Sequence, residues 1–292
     1  MTKRIDSFQR IAFTLPAILF IGVFMDYPIL QAIGLSFTDF DGIHSIKWTG
    51  LANYVELFTS KEFGRVALNN LYLAVLGIPL SVAVPLIISL LLFERVRGHK
   101  LFKVAYLIPS ALSVIIVGML FRVFFSYDGP IHRILNAVFP SLTEVDFWET
   151  GLTSIPIIVS AMVWAGFGVN SVIFLSGMSL ISESIYESCD LDGFTWLQKH
   201  WYITLPLIIN ILEFVTVMSI ISIFSSMFGY IYSITGGGPG YESTVLEYLI
   251  FIKGFRMNNL AYASAASTVL FVALTLMSWL IMRFFAKRGA WQ

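Results

Sequence analysis

The sequence predicts an all-α polytopic membrane protein with six transmembrane helices. Three observations carry this. The 292-residue chain is 57% hydrophobic and only 12% charged, against roughly 25% charged in a soluble domain. Apolar runs of the ~20 residues needed to cross a bilayer recur along it. The alternating segments of ~10 residues that build an outer-membrane barrel do not occur. Lysine plus arginine equals aspartate plus glutamate, 18 each, so net charge gives no reason to expect a nucleic acid. The single cysteine, Cys189, excludes an internal disulfide and any site built on several cysteines.

The spans read as about Ile11–Ile33, Leu71–Phe93, Val104–Phe125, Ile155–Gly177, Leu207–Ile231 and Tyr262–Phe285, within one transmembrane domain covering 1–292. Met1–Arg10 is basic like the start of a secretory signal. The apolar run behind it is too long for one and lacks a small-residue cleavage site, so it reads as the first span. Gly34–Asn70 is a long aromatic loop with a short helix expected near Leu51–Phe58. The run Thr235-Gly-Gly-Gly-Pro-Gly-Tyr lacks the Lys-Ser/Thr of a phosphate-binding loop and reads as a flexible turn. Trp48, Trp148 and Tyr241 near span ends suit interfacial anchors.

Charge sets the orientation. Lys3, Arg4, Arg10, Arg95, Arg97, Lys100, Lys103, Lys199, Arg283, Lys287 and Arg288 would all fall on one side, leaving seven basic residues for the longer loops opposite. The positive-inside rule then puts both termini and the loop 182–206 in the cytoplasm. Asp26 and Glu213 are the acids inside spans, and each is expected to reach water or a partner chain. No catalytic residue set is visible. The four histidines have no metal-ligand spacing, and no Walker A or Gly-x-Ser-x-Gly pattern occurs.

The most informative segment is Glu187–Pro206. It is polar and acidic between two long apolar runs. It reads as a short amphipathic helix, a break at Gly193, and a second short helix stopped by Pro206. That is more structure than a connector needs, and it suits a docking surface.

This segment resembles the docking motif in membrane subunits of binding-protein-dependent ABC importers, Glu-Ala-Ala-x-x-Asp-Gly-Ala followed by Ile-x-Leu-Pro. Here it stands as Glu187-Ser188-Cys189-Asp190-Leu191-Asp192-Gly193-Phe194, then Ile203-Thr204-Leu205-Pro206. Ser188, Cys189 and Phe194 replace the usual alanines. Leu15-Pro16, Ser36-Phe37-Thr38, Asn53-Tyr54, Pro109, Thr235–Gly240 and Leu260-Ala-Tyr-Ala-Ser-Ala-Ala extend the resemblance over nearly the whole chain. They are similar to the carbohydrate-uptake branch, including the larger membrane subunit of the maltose importer.

The resemblance implies a type I ABC importer permease fold with a cytoplasmic coupling helix. It implies a prokaryotic cytoplasmic (inner) membrane, and no enzyme activity in this chain. The expected partners are a second, homologous permease subunit in a heterodimer, a cytoplasmic ATPase dimer, an extracytoplasmic solute-binding protein, sugar and lipid. No cofactor or metal is expected here, because ATP and Mg would sit on the ATPase. Glu187, Ser188, Cys189, Asp192, Gly193 and Pro206 would form the ATPase-coupling site. Glu187 would meet a basic residue, Gly193 would supply the bend, and Pro206 would end the element.

A substrate pathway is expected at Gly166, Asn170, Ser219, Ser222, Ser226 and Tyr230. Ser219, Ser222, Ser226 and Tyr230 fall on one face of a continuous helix. Such a hydroxyl stripe lines a wet path or lets helices approach closely. The resemblance places Met162, Gly166, Val169, Ser219, Ser222 and Ile223 level with sugar-contacting positions, several of them apolar here. An importer for glycerol-3-phosphate, polyamine or phosphate, and a stand-alone secondary carrier, are the alternative readings.

Overall fold

Apolar runs fold into helices throughout the computed structural model, which describes residues 2–93, 106–138 and 146–286. Two units divide the chain, Met1–Ser60 with Leu249–Val272, and Lys61–Tyr248 with Ala273–Gln292.

In the first unit, α1 (Thr2–Ile21) runs through a π-turn, Gly22–Asp26, into α2 (Tyr27–Leu35). Ala12–Leu35 is 24 residues long with mean hydropathy 1.8, about 36 Å of helix against a hydrocarbon core of about 30 Å. Pro28 follows the π-turn by two residues. It has no N–H to give, and its ring crowds the preceding turn, which the wider π loop relieves. Asp26 is exposed.

Beyond α2 the motif residues close on one another. Ser36 Oγ donates to Ile33 O at 2.6 Å and lies 2.7 Å from the Tyr54 hydroxyl. Asn53 Nδ2 donates to Ser36 O and Thr38 O at 2.8 and 2.7 Å. Phe37 stacks on Trp48. Ser36-Phe37-Thr38 and Asn53-Tyr54, seventeen residues apart, are thus halves of one cluster, with Asn53 and Tyr54 on α3 (Ala52–Thr59).

The second unit is built on α4 (Lys61–Phe93), 33 residues and about 50 Å long. The helix starts ten residues before the predicted span, because polar Lys61–Asn70 is helical too. Residues 106–111 are helical, the chain breaks at Leu112-Ser113, and α5 (Val114–Phe124) follows. The expected continuous third span is therefore two pieces. Ser113 is extended and caps α5, accepting from Ile116 N, a local alternative to continuing the helix. Next come α6 (Pro130–Val138), α7 (Gly151–Met178), α8 (Glu183–Leu191) and α9 (Trp196–Lys199). They are followed by α10 (Ile209–Ser225) and α11 (Phe228–Ile234), while α12 (Leu246–Phe251) and α13 (Leu260–Ala286) each have residues in both units.

Helices α4 and α7 pack closely through small polar residues. Pro85 cannot donate to Ser81 O, and Asn170 Nδ2 takes that freed carbonyl at 3.3 Å. Ser89 Oγ reaches Ser171 O, and Ser171 Oγ reaches Pro85 O. Leu90, Phe174, Met178, Ile208 and Val215 form a buried cluster where α4, α7 and α10 converge.

Among the described residues, four helices are long and apolar enough to cross a membrane: Ala12–Leu35, Lys61–Phe93, Gly151–Met178 and Leu260–Ile281. The pair Trp196–Leu207 and Ile209–Ser225, bent by 74°, reaches that length and apolarity only when counted as one broken span. At eleven residues, or about 16 Å, α5 alone is too short; Val104 and the basic cluster Arg95–Lys103 lie outside the described residues. The Gly-rich loop is not a slack turn. Thr244 Oγ1 donates to Gly237 O at 2.8 Å, Ser243 Oγ donates to Thr235 Oγ1 at 2.7 Å, and both Ser243 and Thr244 are fully buried.

Candidate functional site: an acidic elbow and a hydroxyl-lined cavity

Helix α8 ends where its sequence runs into glycine. Gly193 has φ +75°, which costs a residue without Cβ little. Phe194 N donates to Cys189 O at 3.0 Å and Gly193 N to Asp190 O at 3.2 Å, the paired bonds of a Schellman cap. Thr195 then opens α9 with a capping box, exchanging hydrogen bonds with Gln198. Glu187, Ser188, Asp190 and Asp192 are exposed, and Cys189 is buried. Leu191 (89% exposed), Leu197 (66%) and Trp201 (64%) add an apolar component to the outer face.

The inner face is fastened. Thr204 Oγ1 lies 3.0 Å from the Tyr186 hydroxyl and 2.9 Å from His200 Nδ1, with His200 and Thr204 buried. Burial pushes the Tyr186 phenol up, and the Thr204 bond partly offsets it. Tyr186 packs on Phe93 at the end of α4. Lys199 Nζ meets Asp190 Oδ1 at 2.5 Å. Pro206 does not stop the element. A π-turn, His200–Thr204, precedes it and a helical turn, Leu205–Leu207, contains it. The bend comes at Ile208, two residues later than expected. The π-turn accommodates the proline, as the one before Pro28 does, so the chain stays helical through it.

One cavity of about 350 Å³ opens among α4, α5, α7, α10 and α11. Gly166, Asn170, Ser219, Ser222, Ser226 and Tyr230 all line it, with Ser81, Ser110, Met162, Phe167 and Val169. The expected single helical face does not extend that far, since α10 ends at Ser225 and Tyr230 sits on α11. Ile223 is packed away from the cavity, 2% exposed, its Cδ1 2.9 Å from where a Cβ on Gly77 would stand. Glu213 is 4% exposed. It is buried on α10 and does not reach water within the described chain.

No family model matches the chain. It is 32% identical over 277 residues to the Probable ABC transporter permease protein PH1215 of Pyrococcus horikoshii, covering 92% of this chain and 93% of that one. This chain belongs to the ABC transporter permeases. The permease is also 28% identical over 290 residues to the lactose transport system permease LacF of Rhizobium radiobacter, covering 98% and 96%. Its fold matches a chain of a bacterial ABC transporter involved in the import of the acidic polysaccharide alginate, with TM-score 0.83, 24% identity and 98% of both chains covered. The permease is thus a multi-pass membrane protein and a transporter component, not an enzyme.

Two carboxylates tie distant segments of the permease together, Glu247 beside the cavity and Glu242 at the starts of α4 and α7. Glu247 Oε2 accepts from Met227 N at 2.7 Å and Phe228 N at 2.9 Å, capping α11 just past the break at Ser226. Burial raises its carboxyl, and those two bonds counter the shift. Glu242 accepts from Arg65 Nε at 3.0 Å and from Gly151 N at 3.1 Å, which lowers its carboxyl. The partners stand nineteen residues or more away in sequence, so no local pattern carries the signal.

Proposed function

We propose that this permease is the membrane subunit of an ATP-driven importer for sugars or oligosaccharides delivered by an external binding protein. Both termini and the 182–206 elbow would be cytoplasmic. ATP and Mg would sit on a separate ATPase dimer docked on the elbow, beside a second, homologous permease. The observation that carries this is the elbow itself. A rigidly capped helix presents Glu187, Ser188 and Asp192 outward, turns on Gly193, and leads through Ile208 into the buried cluster at the foot of α10. Cys189 is buried on the inner side of that element, and Pro206 is exposed at its end. The resemblance to sugar permeases and the hydroxyl lining of the cavity support the solute class.

A relative at 27% identity is a permease for sn-glycerol-3-phosphate, so a phosphorylated solute is the second reading. The test is ATP-dependent uptake in proteoliposomes holding the complete transporter, with wild type and Glu187→Lys. Reversing an interfacial charge is expected to cut association with the ATPase and uptake by roughly tenfold or more, with the thermal midpoint of the permease unchanged. Undiminished association and uptake would remove the docking role. Uptake by the permease alone, without ATP, would make it a carrier.

A further inference from the structure

Taking the cavity as the solute's seat, as proposed above, we infer that the seat selects for uncharged, hydroxyl-rich solutes and rejects both anionic and cationic ones. None of the lining residues carries a formal charge. Its hydrogen-bonding groups are neutral hydroxyls and one amide. Ser219 Oγ donates to Val215 O at 2.8 Å and Ser110 Oγ to Leu107 O at 2.7 Å. Asn170 spends an amide N–H on the Ser81 carbonyl that Pro85 leaves free. Ser219 and Ser110 therefore turn oxygen lone pairs to the cavity, while Asn170 keeps a second amide N–H and Ser81, Ser222, Ser226 and Tyr230 add hydroxyls that can donate or accept.

Sugar hydroxyls can donate to those oxygens and also accept from others. A carboxylate or phosphate could accept from the lining hydroxyls, but no cation in the lining offsets the hydration its full charge loses. An ammonium group could donate, but no carboxylate lines the cavity to balance its charge. The apolar remainder, Met162, Phe167 and Val169, suits the C–H faces of a sugar ring.

The test is saturation-transfer NMR on the complete detergent-solubilised transporter without its binding protein. The probes are lactose, maltose and cellobiose, with lactobionate as the anionic counterpart of lactose and spermidine as the cation. At least one neutral sugar is expected to bind at least tenfold more tightly than lactobionate or spermidine. Gly166 has open space where a Cβ would stand, so Gly166→Lys puts an ammonium into the cavity without a clash and is expected to shift the lactose-to-lactobionate ratio tenfold toward the anion. Equal affinity for lactobionate, an unmoved ratio in Gly166→Lys, or no binding of any neutral sugar would overturn the inference. ATP-driven uptake of an anionic sugar at full rate would also overturn it while leaving the importer intact. Neutral preference without any ATP-driven uptake would uphold the seat and remove the importer.

Discussion

Replacing Gly193 isolates one physical effect at the elbow. At φ +75° an L-residue brings its Cβ against its own backbone, at about 1–2 kcal/mol. Nothing stands within 4 Å of the added Cβ, so Gly193→Ala adds no packing clash and the cost is conformational alone. Charged against the capped state, 1–2 kcal/mol raises the open fraction roughly 5–30-fold. Hydrogen exchange reads that fraction at the Phe194 amide, which donates to Cys189 O, and at the Gly193 position's amide, which donates to Asp190 O. Both are expected to exchange 5–30-fold faster in Gly193→Ala. Gly193→Asn should lose less, since asparagine tolerates the left-handed region. ATPase association should fall in the same order. Unchanged exchange in Gly193→Ala, or asparagine as costly as alanine, would refute the reasoning, because the bend would then not depend on this backbone conformation.

Glu247→Ala removes the acceptor for two backbone N–H groups and is expected to cost roughly 1–3 kcal/mol in thermal unfolding, whereas Glu247→Gln keeps a carbonyl oxygen for both. Because burial raises the Glu247 carboxyl, the folded state holds that proton more tightly. Its stability contribution is therefore fully present below the ordinary carboxylate value and lost as pH rises through the raised one, and Glu247→Gln should flatten this slope in unfolding midpoints scanned from pH 4.5 to 7.5. Gly168→Ala is expected to destabilise by about 1–3 kcal/mol, since its Cβ would stand 2.2 Å from the Tyr106 carbonyl oxygen and no rotamer change moves a backbone atom. Gly166→Ala, two residues away and facing open space, should be neutral in the same melts.

What the sequence made legible follows the range of the interactions. The long helices α4, α7 and α13 are legible as continuous apolar runs, and the Schellman stop at Gly193 is legible because glycine, cap and capping box lie within a dozen residues. The breaks were harder. Ser113 splits the third predicted span by a local cap that hydropathy does not register. The break at Ser226 is held by Glu247, more than twenty residues on, and the Gly-rich loop is pinned by Ser243 and Thr244 from its far side. An unbroken helix would put Ser226 and Tyr230 on one face with Ser219 and Ser222. They do line the same cavity, from the break itself and from the next helix.

The geometry of α10 joins the two sites. It begins at the 74° bend beside Ile208 and ends at the break before Met227, so this one helix of 17 residues, about 25 Å, has a discontinuity at each end. Its first turns, through Ile211, Leu212 and Val215, are packed against Leu90, Phe174 and Met178. One turn beyond Val215 come Ser219 and then Ser222, at the cavity wall. A close-packed cluster does not absorb displacement by compressing. A force applied at the elbow therefore meets a stiff contact at the foot of α10, and the compliant points are the bend and the break. The Glu247 cap stiffens one of them. The elbow's exit at Ile208 and the serines at the cavity wall therefore stand on one helical path, with Glu213 buried between them.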